Sequence, residues 1–199
     1  MRKRLLFGIW FLLFWVSAFG QSGIQVRGTA GISGSMVARK ETLVGASSVE
    51  MDRVNEFGIL ISKALGEKFR ITSGLSYISG EVEFLPNCPG CFATQALYAH
   101  NPDFKMISIP VLGEYSLSKI FYVAAGPSLD FQKSEGNNFS DQSGLGYLVG
   151  IGARVQMGGF TLSILPNYKR HGVVPFEKTD RSKFIFQELG IQFGVGYNF

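Results

Sequence analysis

Two cysteines form the pattern in this sequence with the most specific chemistry. Cys88 and Cys91 occur as Cys-Pro-Gly-Cys inside a long polar stretch. Two thiols at this spacing can form a local disulfide that stiffens a turn of an exported protein. A thioredoxin-like redox site would need the motif at the start of a helix, and a zinc site would need two more ligands, of which His100 offers one. We therefore predict a Cys88–Cys91 disulfide, with no metal and no cofactor.

A histidine with two sequence neighbours is the second candidate for chemistry. His171 is followed by Glu177 and Ser182 in a stretch that the pattern predicts to be a loop. Serine, histidine and acidic side chains together form the nucleophilic site of many hydrolases, including lipid hydrolases. The sequence has no Gly-x-Ser-x-Gly motif,, and a loop histidine is ordinarily a solvated side chain. We expect no catalytic residues and keep a lipid-modifying enzyme as an alternative function.

A set of charged residues alternates with apolar residues along the chain. Side chains of both signs on one face can neutralise each other when they are buried together. We interpret the set as an interior network of ion pairs and hydrogen bonds, and not as a catalytic constellation. Its members are Glu56, Arg70, Glu114, Arg154 and Glu188.

The segments that carry these residues alternate between apolar and polar side chains with a period of two. Such alternation indicates β-strands that separate two different environments. From Ile24 to Ser33, for example, the apolar and small residues at even positions alternate with polar ones at odd positions. No segment has the sustained 3.6-residue period of a helix. Runs of this kind begin at residues 24, 57, 69, 107, 121, 145, 160 and 189.

The connections between the eight runs alternate in length. Short connections are predicted at 65–67, 118–119 and 157–159, and long polar ones at 38–52, 80–105, 132–143 and 170–182. Bacterial outer-membrane barrels have short periplasmic turns at one rim and long extracellular loops at the other. The fold prediction is therefore all-β, an eight-stranded antiparallel transmembrane up-and-down barrel.

The apolar faces of the runs carry no Asp, Glu, Lys or Arg, although such residues make up 17% of the chain. A Lys or Arg facing lipid at the bilayer midplane costs roughly 2–4 kcal/mol, so the apolar face is predicted to face lipid. A soluble ligand-carrying barrel, with its apolar face inside, is the structural alternative. Two features argue against this soluble alternative. The glycines of the polar face suit a crowded interior, and two rows of aromatic residues are placed like interface girdles. These are Phe69, Phe121, Phe160 and Phe199 at one edge, and Tyr77, Phe131 and Tyr168 at the other.

Three prolines lie inside predicted strands. Pro110, Pro127 and Pro166 each lack the N–H that a ladder hydrogen bond needs,. A closed barrel has no edge strand on which to place them, so we expect local β-bulges at these positions.

The N-terminus has the features of a secretory signal peptide. Arg2, Lys3 and Arg4 precede an apolar run from 5 to 16, and Ala18 and Gly20 supply small residues for cleavage after Gly20,. This assigns 1–20 to a cleaved signal and 21–199 to one barrel domain. Those three residues account for most of the excess of 19 basic over 15 acidic residues, so no basic patch predicts nucleic-acid binding.

The stretch SIPVLGEYSL at 108–117, followed by FYVAAGPSLDF at 121–131, resembles the PorT-like family of small outer-membrane β-barrels. Pro110, Gly126 and Pro127 carry the match. The resemblance implies an outer-membrane location in a Gram-negative bacterium, with a periplasmic N-terminus after cleavage. Some members of the family are implicated in protein secretion, so it also implies a secretion-system or surface protein as a partner.

The last strand ends the sequence on Tyr197 and Phe199. In the light of the resemblance, these residues look like the assembly signal that the barrel-insertion machinery reads, which makes that machinery a partner beside outer-membrane lipid. The sequence thus predicts a barrel with a structural or interaction role, accessory to secretion or to surface contacts. A narrow channel is the remaining alternative to this role and to the enzyme.

Overall fold

The computed structural model describes residues 23–39, 48–51, 53–85, 103–134, 139, 141–176 and 184–199. The predicted signal segment, Cys88, Cys91, His100, Glu177 and Ser182 lie outside these residues. Within these ranges, no helix is long and apolar enough to cross a membrane.

Eight long strands of the described chain form one closed antiparallel barrel. A separate two-stranded sheet joins β2 to β5 beyond one end of it. The strands are β1 (Ile24–Arg39), β2 (Ser48–Glu50), β3 (Val54–Ala64), β4 (Phe69–Glu81), β5 (Glu83–Leu85), β6 (Asp103–Ser116), β7 (Phe121–Gln132), β8 (Gly144–Met157), β9 (Phe160–Pro175) and β10 (Phe184–Asn198). The predicted eight-stranded antiparallel barrel is confirmed, and each predicted run lies in its own barrel strand.

Closure is made by β1, which pairs with β3 on one side and with β10 on the other. In these ladders Val26 lies opposite Ile61 of β3 and Tyr197 of β10. The backbone N–H of Phe199 donates to the carbonyl of Ile24 at 2.9 Å. The pairing therefore continues to the last residue of the chain, as an edge in hydrocarbon would leave polar backbone groups unsatisfied.

The barrel has two distinct rims. We call the end where β3 meets β4, β6 meets β7 and β8 meets β9 the turn rim, because these strands are joined across only 65–68, 117–120 and 158–159. The opposite end is the loop rim. The strands extend into stretches that the sequence predicted as loops, since β6 begins at Asp103 and β9 reaches Pro175.

The two faces of the barrel differ as the period-two pattern predicts. Outward residues such as Phe57, Ile59 and Leu189 are 60–64% exposed, whereas the inward Arg27 and Glu114 are 2% and 1% exposed. An apolar outer face suits a protein that is surrounded by lipid, whereas a soluble ligand-carrying barrel has its apolar face inside.

The bulges expected at the prolines are absent from the described ladders. The register on either side of Pro110, Pro127 and Pro166 is unchanged in every ladder that contains them. Pairing is interrupted near Pro110 between β4 and β6, where Ser73↔Val111 is followed by Ser76↔Ser108 in the same register. The β4–β6 ladder thus lacks paired residues next to Pro110 and resumes beyond this gap without an inserted residue.

A shift of register does occur in the described barrel, between β8 and β9. The register shifts between Leu145 and Tyr147, opposite the segment of β9 that holds Gly172. Gly172 has φ +55°, a left-handed conformation that glycine adopts without strain and that is typical of a bulge. The prediction of a loop from 170 onward was wrong here, because the bulge interrupts the alternation while the strand continues.

Candidate functional site

The lumen near the turn rim contains a cluster centred on one carboxylate. Glu114 Oε1 accepts from Arg27 Nη2 at 2.8 Å and from the Thr72 hydroxyl at 2.8 Å. Its other oxygen, Oε2, accepts from Arg154 Nη1 at 2.8 Å. Arg27, Glu114 and Arg154 come from β1, β6 and β8, which are not neighbours in the sheet. These ion pairs therefore cross the lumen and do not run along its wall.

Polar residues extend this cluster to the turn rim. Arg70 donates to Gln25 Oε1 at 2.9 Å, and the Gln25 amide donates to Asn198 Oδ1 at 3.0 Å. Arg154 also lies over the ring of Tyr122, with 4.7 Å between the guanidinium carbon and the ring centroid. We call Arg27, Arg70, Glu114 and Arg154 with these partners the turn-side cluster.

A second cluster fills the lumen nearer the loop rim and is richer in acid. Lys169 forms an ion pair with Glu56 on the far side of β1 and lies 3.7 Å from Glu188 Oε2. His171 lies between two carboxylates, with Nδ1 2.9 Å from Asp130 Oδ2 and Nε2 3.1 Å from Glu188 Oε1. We call Glu56, Asp130, Lys169, His171 and Glu188 the loop-side cluster.

Serine hydroxyl groups donate further hydrogen bonds to the carboxylates of the loop-side cluster. Ser33 donates to Glu188 at 2.8 Å, and Ser108 and Ser128 donate to Asp130 at 2.6 and 3.1 Å. Asp130 and Glu188 are both fully buried. Because a buried carboxylate without partners is costly, the serines on the inward face stabilise charges that water does not reach.

The surroundings of His171 argue against nucleophilic chemistry. Both ring nitrogens face carboxylate oxygens, an arrangement that the doubly protonated imidazolium satisfies as a donor on each side. Neither nitrogen is left to accept a proton from a hydroxyl nucleophile, as a general base must. The described residues also contain no group of three or more His, Cys, Asp or Glu that could hold a metal ion.

An apolar cap closes the lumen above the loop-side cluster. Phe104 and Phe186 point inward from β6 and β10, with ring centroids 5.0 Å apart, and Phe139 packs edge-on against Phe104 at 5.7 Å. The Phe186 ring also stacks on His171 at 5.0 Å between centroids, which joins the cap to the charges below it. We call the following buried residues the cap: Met51, Val54, Ile78, Val82, Phe104, Met106, Phe139 and Phe186.

Residues from outside the barrel strands take part in this cap. Met51 follows β2, Val82 precedes β5, and Phe139 lies between β7 and β8. The pairing of Val49 with Phe84 in the small sheet joins the connection between β1 and β3 to the connection between β4 and β6. The Ser35 hydroxyl adds a bond of 2.6 Å to the carbonyl of Met51. Chain segments from the loop rim thus fold inward over the barrel mouth.

A second apolar layer belongs to the turn-side half of the lumen. Its members are the buried residues Leu112, Tyr122, Ala124, Leu148 and Leu165. The Tyr122 ring approaches Gly152 so closely that an added Cβ would lie 2.7 Å from it. An inward glycine here makes room for an aromatic side chain, and the lumen is filled by alternating charged and apolar layers.

The structure brings the five predicted network residues into two groups. Arg70, Glu114 and Arg154 lie at the turn side, and Glu56 and Glu188 lie at the loop side. The predicted network lacked four of the observed partners, namely Arg27, Asp130, Lys169 and His171. For Arg27, Asp130 and Lys169 the available signal was their inward parity within the predicted strands. His171, Phe104 and Phe186 lie beyond the predicted runs, in parts of β9, β6 and β10 that the pattern did not identify as strand.

The predicted assembly signal lies in an aromatic group at the turn rim. The Tyr197 ring lies 5.1 Å from Phe199 and 5.2 Å from Phe160, both in edge-to-face geometry. All three side chains are exposed on the outward face, where aromatic residues form the girdle of a membrane barrel. A role in insertion stays a prediction, as does the Cys88–Cys91 disulfide.

Solved structures of bacterial outer-membrane proteins resemble this barrel. The outer membrane protein OprG from Pseudomonas aeruginosa is 14% identical, with a TM-score of 0.55 over 89% of this chain and 96% of that one. Ail, the attachment invasion locus protein of Yersinia pestis, is 13% identical, with a TM-score of 0.48 over 90% of this chain and 100% of that one. A search of curated proteins found no match.

At these identities the structural likeness shows the fold alone, and the narrower PorT-like assignment stays a prediction. The family is shown by a match of the amino-acid sequence. Residues 19–199 match the family described as outer membrane protein beta-barrel domain, which includes every strand described above. The chain therefore belongs to this family and is a small eight-stranded β-barrel of the outer membrane.

Proposed function

We propose that this barrel has a structural or interaction role, in which the loop rim contacts a protein at the bacterial surface or in a secretion machine. The observation that carries the proposal is the filled lumen. Ion pairs cross it at two levels, and an apolar cap lies above them. The loop rim is therefore the surface best suited to specific contacts.

The filled lumen disfavours transport through the barrel. A solute on the axis would have to separate Arg27 from Glu114 and Lys169 from Glu56, all of which are at most 9% exposed. Breaking a buried pair leaves an uncompensated charge, at a cost of about 3–5 kcal/mol. An eight-stranded barrel has room for filling side chains but not for a wide aqueous channel. This makes the narrow channel the weaker proposal.

The lipid-modifying enzyme receives no support from the geometry of His171. Its two nitrogens face Asp130 and Glu188 inside the barrel, away from the lipid substrate that such an enzyme would bind. By analogy with bacterial barrels, we place the loop rim outside the cell and the N-terminus in the periplasm. A resemblance to PorT-like proteins favours a secretion component as the partner.

The proposal is tested by cross-linking and affinity purification from native outer membranes. The matched variant lacks residues 86–101 of the longest predicted loop and retains every barrel strand. We expect the complete chain to capture one partner in a stable ratio, and the shortened chain to capture much less. If neither chain retains a protein beyond those bound by an unrelated outer-membrane barrel, the interaction role is wrong.

A further inference from the structure

The outward face of β9 carries an arginine at the edge of the aromatic girdle. Lys169 and His171 point into the lumen as members of the loop-side cluster, so the alternation of the strand turns Arg170 towards the membrane. Arg170 is half-buried, and it follows the girdle residue Tyr168 by two positions towards the loop rim. A cation on the outside of a membrane barrel is tolerated near the interface and is costly deeper in the bilayer.

Polar and aromatic side chains of three adjacent strands surround Arg170. It lies directly opposite Tyr147 in the β8–β9 ladder and opposite Gln187 in the β9–β10 ladder. The rings of Tyr147 and Tyr168 are 6.1 Å apart between centroids. Because residues directly opposite each other have Cβ atoms about 4.5–5.5 Å apart, these side chains form one patch on the outer wall. We call Tyr147, Tyr168, Arg170 and Gln187 the arginine–tyrosine patch.

The positive charge of this patch has no carboxylate partner in the part of the chain that the structure describes. No ion pair there includes Arg170, and its Nε atom is buried without a hydrogen-bond partner. A buried donor without an acceptor is costly, so the guanidinium gains free energy by turning towards an anion. The nearest outward positions on β8, β9 and β10 hold no Asp or Glu; they are Leu145, Tyr147, Val149, Tyr168, Gln187 and Leu189.

Another outward cation at the loop rim has its counter-charge within the protein. Lys105 Nζ on β6 lies 2.8 Å from Asp103 Oδ2 in an exposed ion pair. The cleft that these two residues line also contains Arg53 and Glu81, so its formal charges balance. The arginine–tyrosine patch differs in that an anion from outside the protein would complete its charge balance.

The position of the patch indicates which anion lies beside it. Because the loop rim is proposed to lie outside the cell, the outer wall at this level meets the outer leaflet of the membrane. In a Gram-negative outer membrane this leaflet consists mainly of glycolipids built on lipid A, whose sugars carry phosphate groups at the interface. A guanidinium binds two phosphate oxygens with paired donors, and a tyrosine side chain places its ring in lipid and its hydroxyl at the interface.

We propose that the arginine–tyrosine patch binds a phosphate group of one lipid A molecule in the outer leaflet. Arg170 binds the phosphate through its paired N–H groups. The hydroxyls of Tyr147 and Tyr168 and the amide of Gln187 donate further hydrogen bonds to phosphate and sugar oxygens. Binding at this place requires the proposed orientation of the barrel, and so rests on that part of the proposed function, but it requires no protein partner at the loop rim.

The site is tested by native mass spectrometry of delipidated protein titrated with lipid A. Arg170→Gln removes the cation and keeps a polar side chain. Arg53→Gln is the matched control, because Arg53 is an exposed arginine at the same rim whose cleft contains two carboxylates. Arg170→Lys serves as the conservative variant, which keeps the charge but not the paired donors. All variants are first checked for folding by heat-modifiable gel migration.

We expect the wild type to retain one tightly bound lipid A. Affinity should fall about tenfold or more for Arg170→Gln, the effect of losing one charged hydrogen bond, and less for Arg170→Lys. Arg53→Gln should change the affinity by less than about twofold. Equal binding by the wild type and folded Arg170→Gln would overturn the proposal. Equal losses for Arg170→Gln and Arg53→Gln would also overturn it, because they would indicate a general attraction to a charged rim.

The choice of lipid tests the phosphate assignment. Dephosphorylated lipid A should bind the wild type about as weakly as intact lipid A binds Arg170→Gln. Phosphatidylglycerol, an anionic phospholipid, should bind several-fold more weakly than lipid A. If phosphatidylglycerol binds as tightly as lipid A, or if dephosphorylation has no effect, the assignment to a lipid A phosphate is wrong. These outcomes do not depend on the capture of a protein by the loop rim, so the two proposals fail separately.

Discussion

The turn-side and loop-side clusters fill the same lumen with opposite charge. Among the described residues, the turn-side cluster places one carboxylate, Glu114, among three guanidinium groups. The loop-side cluster places three carboxylates around Lys169 and His171. The first reaches the turn rim, where the Arg154 side chain is 15% exposed, whereas the second lies beneath the cap.

This difference in access to water sets how each cluster responds to a lost partner. A cation near a rim can turn towards solvent, because long side chains extend their charged ends to water. A carboxylate such as Glu188, which is fully buried, has no such route. We therefore expect the loop-side cluster to depend on each of its cations, and the turn-side cluster to tolerate the loss of one.

The largest effect is expected for Lys169→Met, which removes the cation between Glu56 and Glu188. Two buried carboxylates then lose their ammonium partner, and the free energy of unfolding should fall by about 3–5 kcal/mol. Urea unfolding in detergent micelles, followed by heat-modifiable gel migration, measures this change. Adding Glu56→Gln should recover part of the loss, because it removes one of the unpaired charges.

A smaller effect is expected for Arg154→Met at the turn side. Glu114 keeps its bonds to Arg27 and Thr72, so the loss should be about 1.5–3 kcal/mol, the contribution of one charged hydrogen bond. Lys119→Met, an exposed change at the same rim, is the control and should alter stability by less than about 0.5 kcal/mol. If Arg154→Met destabilises the barrel as much as Lys169→Met, the contrast between the clusters is wrong.

The turn rim also allows stability and assembly to be separated. Deleting Phe199 should lower the amount of folded protein in the outer membrane much more than Phe160→Ala, although both residues contact Tyr197. The reason is that Phe199 is proposed to be read by the insertion machinery as well as to face lipid. Folded yield is measured by gel migration of outer-membrane fractions. Similar yields would leave Phe199 as one more girdle residue.

The smallest effect on the barrel is expected for the double change Cys88→Ser and Cys91→Ser. The predicted bridge closes only a short loop segment, so its loss should leave heat-stable migration of the barrel unchanged. Intact-mass measurement after thiol alkylation of the wild type tests the bridge itself. Two alkylated cysteines would show that the disulfide is absent.

The architecture could be predicted from the sequence because it depends on local alternation. The period of two identified the eight runs and their lipid-facing side, and it needed no knowledge of which strands pair. Where alternation fails, so does the prediction, as at Gly172, whose bulge made the end of β9 resemble a loop. The prolines were misjudged for a related reason, since a ladder can omit a bond without changing register.

The partners inside the lumen could not be predicted in this way. Arg27 and Glu114 are 87 positions apart, and Glu56 and Lys169 are 113 apart. Such contacts join non-adjacent strands across the axis, so they depend on the stagger and closure of the whole barrel. The parity of a residue's position in its strand shows whether its side chain points inward, but not which residue it contacts.

Planar-bilayer recording of the purified protein tests the filled lumen most directly. The buried ion pairs and the cap predict no steady single-channel steps from the wild type. Large, steady conductance steps from the wild-type barrel would contradict the account.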